Sequence, residues 1–288
     1  MSYLEKYDYT PDEEMISSGI QSIVQNLGSM ETPEVLKTCF SLMDLTTLHP
    51  NDTVASVKKL VSKVNGLGME FPSYPLPASV CVFPNFVSTV RDTRESAELH
   101  VTSVAGCFPA SQSFLEVKVK ECELSVENGA DEVDIVLALN AFLAGDYETV
   151  ADEISEIKEV CGSHKLKVIL ETGCLKTASN IKRASILAMY AGADYIKTST
   201  GKLEPAATPE AAYVMCQAIK EYYDETGIQI GFKPAGGMKT VEDALTYYTI
   251  VKEVLGERWL NNQMLRLGTS SLANKLLTDI TGKEVKFF

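Results

Sequence analysis

The sequence predicts an α/β fold, a (β/α)8 barrel with one extra helix before the first strand. Eight short apolar runs alternate with amphipathic segments, and no linker-like tract divides the chain. The runs are rich in β-branched residues and too short for helices, which favours buried parallel strands. The alternation favours a barrel, with a doubly wound sheet as the alternative. The candidate strands are Cys39–Met43, Ser79–Val82, His100–Val104, Glu132–Val136, Leu166–Leu170, Asp194–Thr198, Ile228–Lys233 and Leu265–Gly268.

The segments between the strands carry helix signals. Val150, Ile154, Ile157 and Cys161 form one apolar face at helical spacing. The segment Pro11–Leu27 precedes the first strand, and we expect it to form a helix that covers the lower end of the barrel. The prediction is one barrel domain over residues 1–288, with residues 1–38 as an N-terminal helical extension.

Two helix boundaries have specific end signals. Thr208 is a good N-cap before a proline at the first helical position, and Gly227 suits the matching stop. Thr240 and Asp243 resemble a capping box in which Asp replaces Glu, and Gly256 ends that helix.

Composition excludes several classes of protein. The 288 residues carry a net charge of −13, which argues against general nucleic-acid binding. No apolar run approaches the ~20 residues of a membrane span. The seven cysteines form no C-x-x-C pair and are expected to be reduced. The acidic start, MSYLEKYDYTPDEEM, lacks the apolar region of a secretory signal, so we expect a cytoplasmic protein.

Four strands bring a charged side chain to the face where barrel chemistry occurs. Asp44, Asp134, Lys197 and Lys233 lie in or at the ends of the first, fourth, sixth and seventh strands. A buried lysine beside another cation has a lowered pKa, and a neutral amine forms Schiff bases with carbonyl compounds. A nearby carboxylate such as Asp134 can move protons. The alternative is that each lysine forms a structural ion pair with an aspartate.

Other charged residues are assigned away from this site. Lys167 lies near the start of its strand and is predicted to be solvated, whereas Glu171 faces either the site or a neighbouring loop. His49, His100 and His164 make no H-x-x-x-H pair and are predicted to be structural or solvated. No metal site and no cofactor is predicted.

The segment GADYIKTSTGK raises the question of phosphate binding. Ile196 stands where a P-loop needs its first glycine, and Leu203 follows Lys202, so a nucleotide P-loop is excluded. A simpler phosphate site remains, because glycines and a helix start can present backbone N–H groups after the last strands. The alternative is that these glycines form tight turns that bind no ligand. The candidate residues are Gly201, Lys202, Gly236, Gly237, Gly268, Ser270 and Ser271.

These stretches resemble the deoxyribose-phosphate aldolase family of class I, Schiff-base aldolases. The similarity runs from about Phe40 to Leu277, and the pair ADYIKTSTGK and KPAGG is highly specific. The resemblance implies a (β/α)8 barrel that reversibly cleaves 2-deoxy-D-ribose 5-phosphate to D-glyceraldehyde 3-phosphate and acetaldehyde. The matching stretches are LMDLTTL, SVCVFPNFV, ADEVDIVLALNAFLAGD, LKVILETG, GADYIKTSTGK, GFKPAGG and RLGTSSL.

The resemblance also implies a role for each site residue. Lys197 would form the Schiff base, Lys233 would perturb its pKa, Asp134 would transfer protons and Asp44 would support this network. Thr200 would contact a substrate hydroxyl. The phosphate would be held by Gly201, Lys202, Gly236, Gly237, Gly268, Ser270 and Ser271.

The sequence leaves the oligomeric state and the route of proton exchange open. The resemblance permits a homodimer without fixing the oligomeric state. The family's shorter bacterial type ends in a tyrosine that assists proton exchange. This chain ends in Phe288, so we expect slower proton exchange at the acetaldehyde-derived carbon than in tyrosine-tailed members.

Two alternative functions remain. One is another class I aldolase or lyase of phosphorylated sugars, and the other is a non-catalytic barrel that senses a phosphorylated metabolite.

Overall fold

A computed structural model describes all 288 residues, and its eight strands form one parallel sheet that closes into a barrel. Each strand pairs with the next along the chain, and β8 pairs with β1. Two isolated parallel bridges, Phe232 with Leu265 and Ala235 with Gly268, complete the ring between β7 and β8. The predicted barrel is confirmed, and the doubly wound alternative is wrong. The strands are β1 Met43–Thr46, β2 Ser79–Val82, β3 His100–Val104, β4 Glu132–Val136, β5 Lys165–Ile169, β6 Tyr195–Lys197, β7 Gly231–Lys233 and β8 Leu267–Thr269.

Twelve α-helices surround or flank the barrel. Most are amphipathic and bury one apolar stripe against the outer faces of the strands. The helices are α1 Glu13–Met30, α2 Pro33–Ser41, α3 Val54–Glu70, α4 Val87–Thr93, α5 Leu115–Glu127, α6 Leu139–Ala144, α7 Tyr147–Cys161, α8 Thr172–Leu175, α9 Ala178–Tyr190, α10 Pro209–Thr226, α11 Val241–Leu255 and α12 Ala273–Thr281. None of them combines the length and the apolar character that a membrane span requires.

The predicted first strand is wrong by several residues. Cys39 and Phe40 belong to α2, and the strand begins only at Met43. Leu36, Cys39 and Phe40 are all buried at helical spacing, so this apolar run is one face of a helix. Thr32 caps its start, and a proline occupies the first turn. The spans of β2, β3 and β4 agree with the sequence prediction residue for residue.

The helix boundaries follow the predicted chemistry. The side chain of Thr208 accepts a hydrogen bond from the amide of Ala211, and Gly227 ends α10 in the left-handed conformation. Thr240 and Asp243 form the predicted reciprocal capping box at the start of α11.

The extra helix α1 lies in a different place from the one predicted. It packs against α10 and α11 on the outside of the barrel, not under its lower end. Its buried residues Ile16, Ile23 and Leu27 form a single apolar stripe. This stripe is buried because α1 packs against the outer helical layer. The helix therefore thickens one side of the molecule.

The barrel interior is polar, in contrast to its apolar outer layer. Along β4, Val133 and Ile135 point outward into the main apolar core, while Glu132 and Asp134 alternate with them and point inward. Glycine is required where this interior is crowded. A Cβ on Gly231 would lie 2.3 Å from the ring of the buried Tyr195. The main apolar core thus lies between strands and helices, and the barrel interior contains a cluster of buried charged side chains.

Substituting Gly231→Ala should therefore destabilise the protein, because the ring of Tyr195 has no room to move aside. Overpacking of this kind costs about 1–3 kcal/mol, which corresponds to a loss of roughly 5 °C in melting temperature. Thermal unfolding followed by circular dichroism measures the effect. Gly28→Ala in α1 is the control, since nothing lies within 4 Å of its added Cβ. An unchanged melting temperature for Gly231→Ala would contradict the packing argument.

Candidate active site

A pocket of about 230 Å³ opens at the C-terminal ends of the strands. It is lined mostly by polar groups and glycines from the ends of β1, β6, β7 and β8 and the loops that follow them. The lining residues are Thr46, Leu48, His49, Lys197, Thr200, Gly201, Lys202, Ala235, Gly236, Gly237, Met238, Lys239, Gly268, Thr269, Ser270 and Ser271. The structure therefore gathers Lys197 and all the candidate phosphate ligands in one place.

Lys197 and Lys233 are directly paired neighbours on β6 and β7. The Nζ atom of Lys197 lies 2.7 Å from Oδ2 of Asp134, and that of Lys233 lies 2.8 Å from the same oxygen. Both lysines are almost completely buried, but only Lys197 lines the pocket. One carboxylate oxygen therefore holds the two lysine side chains next to each other.

Asp134 binds a third lysine through its other oxygen. Lys167 places its Nζ atom 2.9 Å from Oδ1. Burial opposes ionisation of this carboxyl, but the three lysines outweigh burial and hold the pKa of Asp134 well below its ordinary range. Asp134 is thus an ionised carboxylate that accepts hydrogen bonds from three lysine side chains.

The prediction that Lys167 is solvated is wrong. Its side chain is fully buried, and its Nζ atom lies 2.5 Å from Glu132 as well as 2.9 Å from Asp134. The strand begins at Lys165, one residue earlier than predicted, so Lys165 occupies the rim with a side chain that is 40% exposed. Because side chains alternate along a strand, Lys167 points inward one layer above it.

Asp44 also lies deeper than predicted. It is the second residue of β1, and its carboxylate pairs with Lys233 at 2.5 Å and with Arg266 at 2.7 Å. Burial raises the pKa of Asp44, but Lys233 and Arg266 outweigh burial and lower the pKa to about 2. This geometry fits the supporting position that the resemblance implies.

Glu132 and Arg266 are two interior residues that the sequence reasoning missed. Arg266 donates through Nη2 to Oε1 of Glu132 at 2.6 Å and through Nη1 to Oε2 at 3.0 Å. His100 approaches the same carboxylate from the lower rim at 2.7 Å. A signal was present in DEVDIV, where acidic residues two positions apart share one face of an apolar strand.

The two lysines of the site have opposite pKa shifts. Burial lowers the pKa of Lys197 and the neighbouring Lys233 lowers it further, and together they outweigh the opposing effects of Asp134 and Cys81. Burial also opposes charge on Lys233, but Asp134 and Asp44 together outweigh burial and raise its pKa. Lys197 is therefore the amine that loses its proton more readily, and Lys233 remains an ammonium group.

Glycines form the opposite side of the pocket because the backbones approach closely there. Gly236 has φ of +82°, and a Cβ on it would lie 2.9 Å from Cα of Gly201. A Cβ on Gly268 would lie 2.7 Å from that of Ala235. Ser270 and Ser271 precede α12, whose first turn has no side-chain cap. These features leave the pocket wall with backbone N–H groups that can bind an anion.

Lysine side chains add positive charge to this wall. Lys202 donates from Nζ to the carbonyl oxygen of Leu48 at 2.6 Å. Lys239 and His49 also line the pocket, and the sequence reasoning assigned neither of them to it. Both lie in exposed loops after strands, where no periodic pattern marks a side chain as part of a site.

Glu171 holds the loop after β6 in place through hydrogen bonds to Thr200. Its carboxylate accepts hydrogen bonds from the amide of Thr200 at 3.1 Å and from the hydroxyl of Thr200 at 2.5 Å. Glu171 has φ of +52° and is buried. The open question about Glu171 is thereby answered, because it faces the neighbouring loop. The hydroxyl proton of Thr200 is already used, so Thr200 can offer a substrate only its oxygen as an acceptor.

The C-terminal residues pack away from the pocket. Asn274 on α12 accepts from the amides of Phe287 and Phe288 through Oδ1 and donates to the carbonyl oxygen of Phe288. The two aromatic rings contact Phe71 and Phe40 on the outer layer. This segment therefore contributes no side chain to the pocket in this conformation.

The fold and the site define a class: a (β/α)8 barrel whose pocket ends on a buried lysine of lowered pKa, which is an arrangement suited to covalent carbonyl chemistry. Residues 38–269 match the family model described as "DeoC/LacD family aldolase". The chain belongs to this family, and the resemblance inferred from its motifs is confirmed.

Named relatives agree with this assignment. A Caenorhabditis elegans protein is 44% identical over 268 residues, covering 92% of this chain and 88% of its own. The human deoxyribose-phosphate aldolase is 39% identical over 247 residues, covering 82% of this chain and 77% of its own.

Solved structures have the same fold. "QR15, an Aldolase" is 29% identical with a TM-score of 0.69, covering 84% of this chain and 96% of its own. The tetrameric deoxyribose phosphate aldolase of Aeropyrum pernix is 27% identical with a TM-score of 0.68, covering 93% and 98%.

The Glu171 contact generates a prediction about the loop. Glu171→Ala removes both acceptors of Thr200, and charge-assisted hydrogen bonds of this kind contribute about 1.5–3 kcal/mol. We expect the KM for a phosphorylated substrate to rise about tenfold or more, because Lys202 is displaced with Thr200. Steady-state kinetics measures this change. Glu204→Ala is the matched control, since Glu204 is an exposed carboxylate in the same loop. Equal KM values for the two variants would contradict the proposed contact.

Proposed function

We propose that the protein is an aldolase that reversibly cleaves 2-deoxy-D-ribose 5-phosphate to D-glyceraldehyde 3-phosphate and acetaldehyde through a Schiff base on Lys197. One observation carries the proposal. Among the buried cations of the barrel, only Lys197 lines the pocket, and its pKa is lowered. A reactive amine and a glycine-rich wall for an anion therefore face the same cavity.

The chemistry follows from a neutral amine at this position. Nζ of Lys197 attacks the aldehyde carbon of the open-chain sugar, and loss of water gives an iminium ion. The iminium accepts the electron pair of the C2–C3 bond as the C3 hydroxyl loses its proton, which releases glyceraldehyde 3-phosphate. The remaining enamine takes a proton at carbon and is hydrolysed to acetaldehyde and free Lys197.

Asp134 and Lys233 hold the reacting amine in place. The carboxylate of Asp134 lies within hydrogen-bonding distance of Lys197 and Lys233 through one oxygen. Because its pKa is far below the ordinary range, Asp134 is a weak base. It is therefore suited to orienting a water molecule that carries the proton, and Lys233 supplies fixed positive charge beside the iminium-forming amine.

The phosphate group of the substrate would bind at the opposite wall. The backbone amides beside Gly236, Gly237 and Gly268 and the start of α12 supply neutral donors, and Lys202 adds charge. The segment from Thr198 to Gly201 connects Lys197 to Lys202 along one edge of the pocket. This division gives each lysine of GADYIKTSTGK its own task, one in chemistry and one in binding.

We also propose that the protein acts in the cytoplasm, as a homodimer. All seven cysteines are free, and five of them are buried, which suits a reducing compartment. Size-exclusion chromatography with light scattering tests the dimer, and a monomeric or tetrameric mass would contradict it. Fluorescence microscopy of a tagged chain tests the location.

Acetaldehyde and borohydride should trap a covalent adduct on Lys197. Peptide mass mapping locates the label, which we expect at Lys197 and not at Lys233, since Lys233 is protonated and does not reach the pocket. Lys197→Leu should abolish turnover while circular dichroism shows an unchanged fold. Lys182→Leu, which removes a lysine from an outer ion pair with Glu221, is the control and should retain activity. A label on Lys233 would refute the assignment of roles.

Loss of Lys202 should affect binding more than chemistry. Lys202→Met removes a cation from the pocket wall but leaves Lys197 and Asp134 in place, so we expect KM for deoxyribose 5-phosphate to rise about tenfold or more with a small change in kcat. The coupled detection of glyceraldehyde 3-phosphate measures both constants. Lys220→Met, which replaces an exposed lysine on α10 that does not line the pocket, is the control. A large fall in kcat with unchanged KM would contradict a phosphate-binding role.

A further inference from the structure

The charged groups inside the barrel form one closed network. Each of them is at most 3% exposed, and ion pairs of 2.5–3.0 Å link every member to another. Because these side chains are almost completely buried, an unbalanced charge among them is costly, and the balance of charge determines how many protons the network holds. The members are three carboxylates, Asp44, Glu132 and Asp134, and four basic side chains, Lys167, Lys197, Lys233 and Arg266.

Arg266 differs from the three lysines because its guanidinium group does not lose its proton. It donates to both oxygens of Glu132 and, at 2.7 Å, to Oδ1 of Asp44. Its Nε atom donates to the carbonyl oxygen of Asn262 at 2.5 Å. Arg266 does not line the pocket and has no hydrogen bond to Lys197; the contacts that connect it to the site run through Asp44 and Lys233 to Asp134.

We propose that Arg266 is a positioning residue for the reaction: its permanent charge leaves the three carboxylates able to balance only two lysine ammonium groups, and Lys197 is the lysine left neutral. This inference rests on the proposed role of Lys197 as the Schiff-base amine. The reactivity of Lys197 then has two causes. One is the neighbouring charge of Lys233, and the other is that the barrel interior contains one more basic side chain than carboxylates.

The contacts decide which lysine is left neutral. Lys167 pairs with Glu132 and Asp134 and, at 3.7 Å, with Asp44, and Lys233 pairs with Asp44 and Asp134. Lys197 pairs with Asp134 alone and shares that oxygen with Lys233. The pKa directions agree with these contacts, since the pKa is lowered for Lys197 and raised for Lys167 and Lys233.

The other groups that face the network do not change the count. Burial raises the pKa of the Cys81 thiol and of the Tyr195 hydroxyl, so both stay neutral. Ser79 and Thr102 contribute only hydroxyl groups. His100 contacts Glu132 only from the lower rim, at the edge of the network, where 30% of its side chain is exposed to solvent.

The test measures acetaldehyde trapping at Lys197 by borohydride as a function of pH. Arg266→Met leaves three carboxylates facing three lysines, so Lys197 can also keep its proton. We expect the midpoint of the pH profile to move up by about one unit or more, and kcat at pH 7 to fall about tenfold with a much smaller change in KM. Arg266→Lys should move the midpoint in the same direction by a smaller amount, because the new amine competes with Lys197 for neutrality.

A double variant separates charge balance from simple damage to the fold. Arg266→Met combined with Glu132→Gln removes one cation and one carboxylate, which again leaves one lysine without a partner charge. We expect its midpoint to return to about the wild-type value, even if its melting temperature is lower. Lys118→Met is the structural control, because it breaks a buried ion pair with Glu153 outside the barrel interior. It should lower the melting temperature and leave the midpoint unchanged.

The outcomes distinguish this inference from the proposed function. Absence of any trapped adduct on Lys197 in the wild-type protein would refute the proposed function itself. Wild-type trapping with an unmoved midpoint in Arg266→Met or Arg266→Lys would overturn only the role of Arg266. If Arg266→Met does not fold, Arg266→Lys and the double variant decide, and a double variant with a midpoint above that of Arg266→Lys would also overturn the inference.

Discussion

The shared carboxylate of Asp134 is the interaction on which the rest of the site depends. Three lysines from β5, β6 and β7 converge on its two oxygens, and all four side chains are almost completely buried. Such a meeting needs a closed barrel, because only inward-facing positions of several parallel strands bring side chains from distant parts of the chain to one point. It also needs an accurate register, since a slip of one residue in β6 would turn Lys197 outward into the apolar layer.

The site separates chemistry from binding by the kind of group that each part uses. Charged side chains on the strands form the bottom of the site. The low dielectric there strengthens the interactions between these charges, and the interactions set the protonation state of Lys197. Glycines and the start of α12 form the wall, where backbone N–H groups bind an anion without adding another buried charge. Additional lysines buried at the same depth as Lys197 would lower its pKa further. The loop cation Lys202 avoids this because it lies in an exposed loop.

The sequence predicted the barrel and the reactive residues better than it predicted their surroundings. Lys197 and Lys233 end short apolar strands, and lysine at such a position stands out against its neighbours. Lys167 was misplaced because alternation assigns a side chain to a face only when the first residue of the strand is known, and β5 begins one residue before its apolar run. Glu132 and Arg266 were missed for a related reason. Glu132 is the first residue of β4 and Arg266 immediately precedes β8, and at such positions sequence alone does not separate a buried charge from a solvated strand start. The place of α1 was wrong because its apolar stripe predicts burial but does not say against which surface.

The composition of the interior is itself an argument for function. Moving a charged group out of water costs several kcal/mol, which pairing offsets only when the geometry is good, and apolar residues of similar volume often give equal or greater stability. Barrel interiors are commonly filled with layers of branched apolar residues. Here β4 alternates valine and isoleucine on its outer face with Glu132 and Asp134 on its inner face, so the same strand builds an apolar core on one side and a charged network on the other. Stability alone would not favour this inner face. A network that keeps one amine uncharged among fixed ions gives a physical reason for it, because a lysine surrounded only by apolar groups would be neutral but would lack the nearby carboxylate that orients a proton-carrying water.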